Sequence, residues 1–302
     1  MIAIVGPTSS GKTSLALKIS KELGYDIVSF DSRQIYKFLD IGTGKMPLDV
    51  NCTIEKHERH WKINGINIYM YDVALPNEDY SISRYLTDFY SLNLNLEKCI
   101  FVGGTGYYLD ALINPPKTVN VPVNKSLRDE LKDASLERVQ SLLNPQTFSL
   151  LNISEKNNKQ RLIRKLEIQE YDIPYPMTSK ALIRPVIIGL NSNREYLYQR
   201  VDYWVDSIWN DLLAEIKLLD QMDFMNAKVL RGIIYNTAID AYKSKLNSDE
   251  AKSKTKFELH KYIRKQITYF NNKLDNIRWF DISDPNYSID IISLIKYHLI
   301  KA

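Results

Sequence analysis

The sequence predicts an α/β fold, a parallel sheet flanked by helices and interrupted by an all-helical insertion. Three observations predict it. Short apolar runs alternate with helical patterns through the first third of the chain. A proline-rich stretch follows Leu112, and beyond it only helical patterns occur until "RPVIIGL" (Arg184–Leu190). Strand, helix and strand in that rhythm need crossover connections, which place helices over the faces of a parallel sheet.

The elements follow in order. "IAIV" (Ile2–Val5) is apolar at every position, as a strand covered on both faces must be. A helix from about Thr13 to Leu23 carries Leu15, Ile19 and Leu23 at helical spacing. "DIVSF" (Asp26–Phe30), "INIYMYDV" (Ile66–Val73) and "CIFVGGT" (Cys99–Thr105) are further strands, with a helix over "SISRYLTDFYSL" (Ser81–Leu92). Three of these four strands end in polar or glycine-rich sequence, and ligands of such sheets gather at the carboxyl ends of strands. Residues 1–114 therefore form the first part of a core and 184–302 its continuation. Residues 115–183 form the insertion, entered through "NPPKTVNVPVN". Within it "KSLRDELKDASLERVQSLL" places Leu127, Leu131, Ala134, Val139 and Leu142 along one helical face, and "KNNKQRLIRKLEIQEY" is a second helical stretch.

Composition sets bounds. With 302 residues, 44% of them apolar, the chain can build a substantial core, and a net charge of +4 does not by itself argue for nucleic acid. Two cysteines, Cys52 and Cys99, suit a reducing compartment and make no disulfide scaffold. The opening apolar run breaks at Gly6 and Pro7, too early for a secretory leader, and nothing approaches the roughly 20 apolar residues of a membrane span. A soluble cytoplasmic protein is the expectation. Cys52, His57 and His60 lack the fourth ligand of a zinc site and read as loop residues, and His260 receives no role.

"GPTSSGKT" supplies Gly6, Pro7, Thr8, Ser9, Ser10, Gly11, Lys12 and Thr13 in the spacing G-x-x-x-x-G-K-[ST], between a strand and a helix. Glycines admit backbone N–H groups to phosphate oxygens, and the helix adds its positive N-terminus. Lys12 brings a mobile charge, and the Thr13 hydroxyl is a candidate magnesium ligand. The loop recognises phosphate without saying what the phosphate belongs to. Asp31, at the end of the second strand, reads either as a magnesium-holding carboxylate or as a general base.

Four stretches taken together resemble one family. "GPTSSGKT", "DSRQIYKFLDIGTGK" (Asp31–Lys45), "VGGTGYYLDAL" (Val102–Leu112) and "NNKQRLIRKLEI" (Asn157–Ile168) are similar, in order and spacing, to the successive signatures of tRNA dimethylallyltransferases. Weaker likeness continues in "REYLYQRVD", "IRKQITYF" and "IRWFD", so it covers nearly the whole chain. The resemblance implies a P-loop NTPase-like core whose helical insertion grips a tRNA anticodon arm. It implies transfer of a dimethylallyl group from dimethylallyl diphosphate to the exocyclic amine of the adenosine 3′ of the anticodon. By resemblance the phosphate loop holds the diphosphate, with Mg2+ on Thr13. Asp31, Thr105, Lys12 and Arg200 serve the chemistry. Asp31, Ser32, Arg33, Gln34 and Thr105 meet the target nucleotide, while Arg128, Gln160, Arg161, Leu162, Ile163 and Arg164 contact tRNA. A monomer without membrane attachment is implied.

The sequence departs from the family at named places. Trp204 stands where a second arginine follows Arg200 by four residues, and "IYNT" (Ile234–Thr237) replaces "GYKE" with Tyr235 retained. Tyr69 and Tyr71 replace paired histidines, while Asp72 and Pro76 remain. Two other readings stand beside the transferase: a small-molecule or nucleoside kinase using the loop for ATP, and a tRNA-binding relative that transfers nothing.

Overall fold

The computed structural model describes residues 1–46, 52–116, 118–119, 121–171 and 184–301. The insertion boundary expected at residue 183, and Lys117 and Asn120 of the proline-rich stretch, lie outside the described residues. The chain divides into two compact units, one of Met1–Ile113 with Ala181–Ala302 and one of Asn114–Lys180.

The larger unit is built on strands β1 (Ile2–Val5), β2 (Asp26–Ser29), β3 (Ile54–His57), β4 (His60–Ile63), β5 (Ile66–Tyr69), β6 (Cys99–Val102), β7 (Val186–Asn191) and β8 (Arg278–Asp281). They form one sheet in the order β3-β4-β5-β2-β6-β1-β7-β8. From β5 to β8 neighbouring strands run parallel, with Ile2 opposite both Ile100 and Val186. All residues of β1 and β6 are buried, which is why both read as unbroken apolar runs. Helices α1 (Lys12–Leu23), α2 (Ile82–Ser91) and α3 (Gly106–Ile113) connect the early strands.

Three features differ from the sequence reading. The third expected strand stops at Tyr69 instead of Val73, because Met70 and Asp72 take φ of 66° and 55° and turn the chain. Residues 54–63, read as loop, form an antiparallel hairpin whose Trp61 and Ile63 are fully buried. "IRWFD", placed in a mostly helical tail, supplies β8, parallel to β7.

The smaller unit contains α4 (Lys125–Glu130), α5 (Leu136–Leu142), α6 (Pro145–Ser149), α7 (Ile153–Lys156) and α8 (Lys159–Gln169). The single helical face expected over 125–143 is split in two: Ser135 accepts the Arg138 N–H and caps a new helix, α5. Leu131, Val139, Leu143, Leu151, Leu162, Ile163 and Leu166 make the core of this unit. At about 2 kcal/mol for each buried leucine-sized side chain, a unit this small depends on every one of them.

The remaining helices belong to the larger unit: α9 (Arg194–Gln221), α10 (Ile233–Tyr242), α11 (Ser248–Lys273) and α12 (Tyr287–Lys301). Along α9 the buried positions Val201, Val205, Ile208, Leu212, Ile216 and Leu219 recur at helical spacing, and Glu215 interrupts that stripe. No helix among the described residues is long and apolar enough to cross a membrane.

Candidate active site

The phosphate loop turns directly out of β1. Gly11 takes φ 84° and ψ 18°, a left-handed conformation that glycine adopts without Cβ strain, and α1 starts at the next residue. Lys12 folds back so that its Nζ donates to the Pro7 carbonyl at 2.7 Å. Burial lowers the Lys12 pKa to about 8, and the nearby Asp31 carboxylate only partly offsets this. The hydroxyls of Ser9 and Ser10 are buried without a hydrogen-bond partner among the described residues. Buried polar groups normally find partners, so the orphaned Ser9 hydroxyl on the cleft and the buried Lys12 ammonium mark a cradle shaped for an anion.

Two helices from the C-terminal part of the chain complete the cradle. From α9, Arg200 Nε donates to the Ser9 carbonyl at 2.8 Å. From α11, the buried Gln266 accepts the Thr8 N–H at 3.0 Å and the Thr8 hydroxyl at 3.3 Å, while its Nε2 donates to the Gly104 carbonyl at 3.0 Å. Gln266 thus ties the phosphate loop to the glycine-rich turn after β6.

Asp31 sits on the other side of that turn. Its Oδ1 accepts the Arg33 N–H at 3.0 Å and its Oδ2 accepts the Gly104 N–H at 3.3 Å. Asp31 Oδ2 and Lys12 Nζ both lie beside Gly104, 3.4 and 3.8 Å from where a Cβ would stand there, with Gln266 Nε2 nearer still at 2.8 Å. Thr105 Oγ1 accepts the Ser32 N–H at 3.2 Å and lies 3.2 Å from the Ser32 hydroxyl, holding the chain just beyond Asp31. Burial, with the Asp31 charge added, raises the phenol of Tyr262 to about 12, so it stays a protonated donor on the cleft wall.

The other side chains of the "DSRQ" segment hold neighbouring loops. Arg33 donates to the Val229 carbonyl. Gln34 accepts from the Ser29 hydroxyl at 2.8 Å and donates to the Thr43 and Gly44 carbonyls at 3.2 and 3.3 Å. The 40–45 loop is also pinned from behind. Glu215 accepts the Asp40 and Ile41 N–H groups at 2.7 Å each, the Gly42 N–H at 3.4 Å and the Tyr235 hydroxyl at 2.6 Å. The fully buried Lys45 pairs with Asp40 at 2.8 Å and Asp72 at 2.5 Å. Burial raises the Glu215 pKa despite these hydrogen bonds.

Thr8, Ser9, Lys12, Asp31, Gln34 and Gln266 line one cleft of about 660 Å³, and Glu215, Lys45 and Thr105 support it from outside that lining. Its polar wall includes Thr8, Lys12, Thr13, Asp31 and Arg200, and its apolar wall Met46, Trp204, Ile233 and Ile234. Three stretches that are far apart in sequence, the phosphate loop, "DSRQ" and "GGTG", therefore meet in space. Gln266, Tyr262 and Glu215 were missing from the sequence reading. Glu215 alone left a signal, a carboxylate at an apolar-stripe position of a long helix.

In the smaller unit the expected RNA contacts divide. Gln160 and Arg161 are exposed on α8. Leu162 and Ile163 are buried in the unit's core, so their side chains face away from any partner. Arg128 Nε and Arg164 Nη1 both donate to the buried Glu167, at 2.7 and 3.0 Å, and Arg164 also donates to the Thr118 and Val121 carbonyls at 3.0 and 2.8 Å. Burial pushes the Glu167 pKa up, but the two guanidinium hydrogen bonds outweigh it and leave the carboxyl below its usual range.

A phosphate loop between the first strand and first helix of a parallel sheet, with a carboxylate opposite it in the same cleft, defines a P-loop-type protein built to act on a phosphate-bearing substrate. The family model described as IPP transferase matches residues 34–273, and the chain belongs to that family. The tRNA dimethylallyltransferase of Clostridioides difficile (strain 630) is 32% identical over 305 residues, spanning 96% of this chain and 94% of that protein. The full-length tRNA isopentenylpyrophosphate transferase of Bacillus halodurans superposes with a TM-score of 0.68 at 26% identity, covering 99% of this chain and 96% of the other. A eukaryotic dimethylallyltransferase crystallised acting on tRNA shares the fold, with a TM-score of 0.77 at 21% identity over 100% of this chain and 79% of its own.

Proposed function

We infer that this chain transfers a dimethylallyl group from dimethylallyl diphosphate to tRNA, with the exocyclic amine of the adenosine 3′ of the anticodon as acceptor. Membership of the IPP transferase family and near full-length likeness to a tRNA dimethylallyltransferase support the reading. The observation that carries the mechanism is the convergence of Asp31 and Lys12 on Gly104, a proton acceptor facing a phosphate cradle across one cleft.

The reaction divides between those two groups. The amine nitrogen forms a bond to C1 of the dimethylallyl group as the C1–O bond breaks, and that electron pair leaves with the diphosphate. Loop N–H groups, the Ser9 hydroxyl, Lys12 and Arg200 receive the growing negative charge. A preorganised donor of this kind is worth roughly 3–4 kcal/mol in a transition state. An arylamine is a weak nucleophile, so Asp31 takes its proton as the C–N bond forms. The base must leave its stack to reach Asp31, at a cost of a few kcal/mol that RNA contacts offset.

The donor set also fits a magnesium ion delivered with the diphosphate. Thr13 offers a hydroxyl at the cradle, and no cluster of three His, Cys, Asp or Glu side chains among the described residues could hold a metal unaided. Magnesium keeps phosphate oxygens and water as its main ligands and would neutralise the leaving group. In the smaller unit we assign the anticodon-arm contact to Gln160 and Arg161, a reading their exposure on α8 supports, and the holding of the framework to Arg128 and Arg164, which pair with Glu167.

The test is incorporation of labelled dimethylallyl from its diphosphate into an unmodified anticodon stem-loop with magnesium present. Label in the RNA with the wild type, and its loss when the target adenosine is replaced by guanosine, supports the reading. A protein that binds the stem-loop and labels nothing overturns it in favour of the non-transferring relative. Turnover of ATP on a small molecule without RNA labelling would point to the kinase.

A further inference from the structure

Trp204 is one of the apolar residues that line the cleft, with Met46, Ile233 and Ile234. Arg200, anchored on the phosphate loop through Ser9, and Trp204 are four residues apart on α9 and share a face. The helical rise puts their α-carbons about 6 Å apart along the axis, on the order of one isoprene unit. The Trp204 ring lies against the 40–45 loop, its Cζ2 3.6 Å from where a Cβ on Gly44 would stand. Gly44 has φ 63°, and the loop that carries it cannot retreat. Gln34 holds the Gly44 carbonyl, Glu215 holds three N–H groups of residues 40–42, and Lys45 is locked between Asp40 and Asp72. An aromatic ring braced on backbone is a stiffer wall than one braced on flexible side chains.

We propose that Trp204 is the specificity-determining residue for the donor, closing the apolar end of the cleft so that it admits a five-carbon allylic diphosphate and rejects a ten-carbon one. The proposal rests on the transferase reading above and adds to it the residue that sets chain length. A second isoprene unit would have to displace either the indole or a loop held at every residue from 40 to 45, by Glu215 at 40–42, by Gln34 at Thr43 and Gly44, and by Asp40 and Asp72 at Lys45. Opening the wall by shortening residue 204 gives the longer chain its room without touching Lys12, Asp31 or Arg200.

The experiment compares kcat/KM for dimethylallyl and geranyl diphosphate with one anticodon stem-loop, using wild type, Trp204→Phe and Trp204→Ala. Size discrimination in an apolar pocket runs to roughly 10–200-fold per small group, so wild type should favour the five-carbon donor by about a hundredfold or more. Trp204→Ala should raise the geranyl-to-dimethylallyl ratio at least about tenfold, and Trp204→Phe by less. The ratio is the readout, because a merely weakened protein loses both donors together. An unchanged ratio in the folded Trp204→Ala protein overturns the proposal, and so does a fall in both donors alone. Should Trp204→Ala not fold, Trp204→Phe decides by the same ratio. Transfer of neither donor by wild type would instead remove the transferase reading itself.

Discussion

Arg164 and Glu167 form an ion pair at 3.0 Å inside the smaller unit, and the carboxylate is fully buried. Arg161, one turn earlier on the same helix, is exposed. Two arginines of one motif therefore do different work. Arg164→Ala should lower the stability of the chain by about 1–3 kcal/mol, seen as an earlier thermal transition. Arg161→Ala should leave that transition in place and weaken stem-loop binding several-fold at low salt. The contribution of the pair also has a pH window. The Glu167 pKa is depressed in the fold, so the stabilisation is complete above the unfolded value of 4.5 and is lost as pH falls through the lower folded value. The gap between wild type and Arg164→Ala in melting temperature should close there. A gap independent of pH would assign Arg164 to packing alone.

Lys12 governs how donor capture responds to alkali. With a free-protein pKa of about 8, it is mostly charged at neutral pH and loses its proton as pH rises through that value. The kcat/KM for the diphosphate donor should therefore bend downward above about pH 8, since that ratio reports the free protein. A bound diphosphate raises the lysine's pKa, so kcat should hold to higher pH. A kcat/KM profile flat to pH 10 would contradict this role for Lys12.

Replacing Asp31 with Asn keeps an acceptor for one backbone N–H and removes the proton acceptor. Single-turnover transfer should fall by roughly 10²–10⁴ while donor affinity, measured by displacement of a non-transferable analogue, changes little. A loss of donor affinity matching the loss of rate would move Asp31 from the chemistry to binding.

Gln266→Leu removes three hydrogen bonds that join the phosphate loop to the turn after β6. The expected cost is about 1–3 kcal/mol, with a melting temperature a few degrees lower and a raised donor KM. An unaltered KM beside a lowered melting temperature would mean the bridge serves the fold without shaping the cradle.

Much of the core was legible because its strands leave unmistakable traces. β1, β2 and β6 are short, wholly or almost wholly buried runs, and each ends in the polar or glycine-rich sequence that builds the cleft. The hairpin of β3 and β4 was not, since β3 is mostly exposed and carries no alternation to read. Nor was the break at Ser135, where apolar residues continue at helical spacing across a cap. The orientation of Arg164 escaped for a different reason. Residues three apart share a helical face only approximately, and whether one turns inward depends on Glu167 and on carbonyls more than forty residues earlier. Long-range hydrogen bonds such as those of Gln266 and Glu215 leave almost no local pattern, and these hold the cleft together.

The bridge from Gln266 to Thr8 spans 258 residues and gives synthesis of the protein a schedule. The phosphate loop is made before both helices that brace it, since Arg200 of α9 follows Ser9 by 191 residues and Gln266 of α11 follows Thr8 by 258. At translation rates of 5–20 residues per second the delay is roughly 10–50 s. During that interval the nascent chain carries a phosphate-binding sequence without the groups that brace it, beside ribosomes crowded with tRNA. The braced cradle is thus a late acquisition, complete only once α11 has been made.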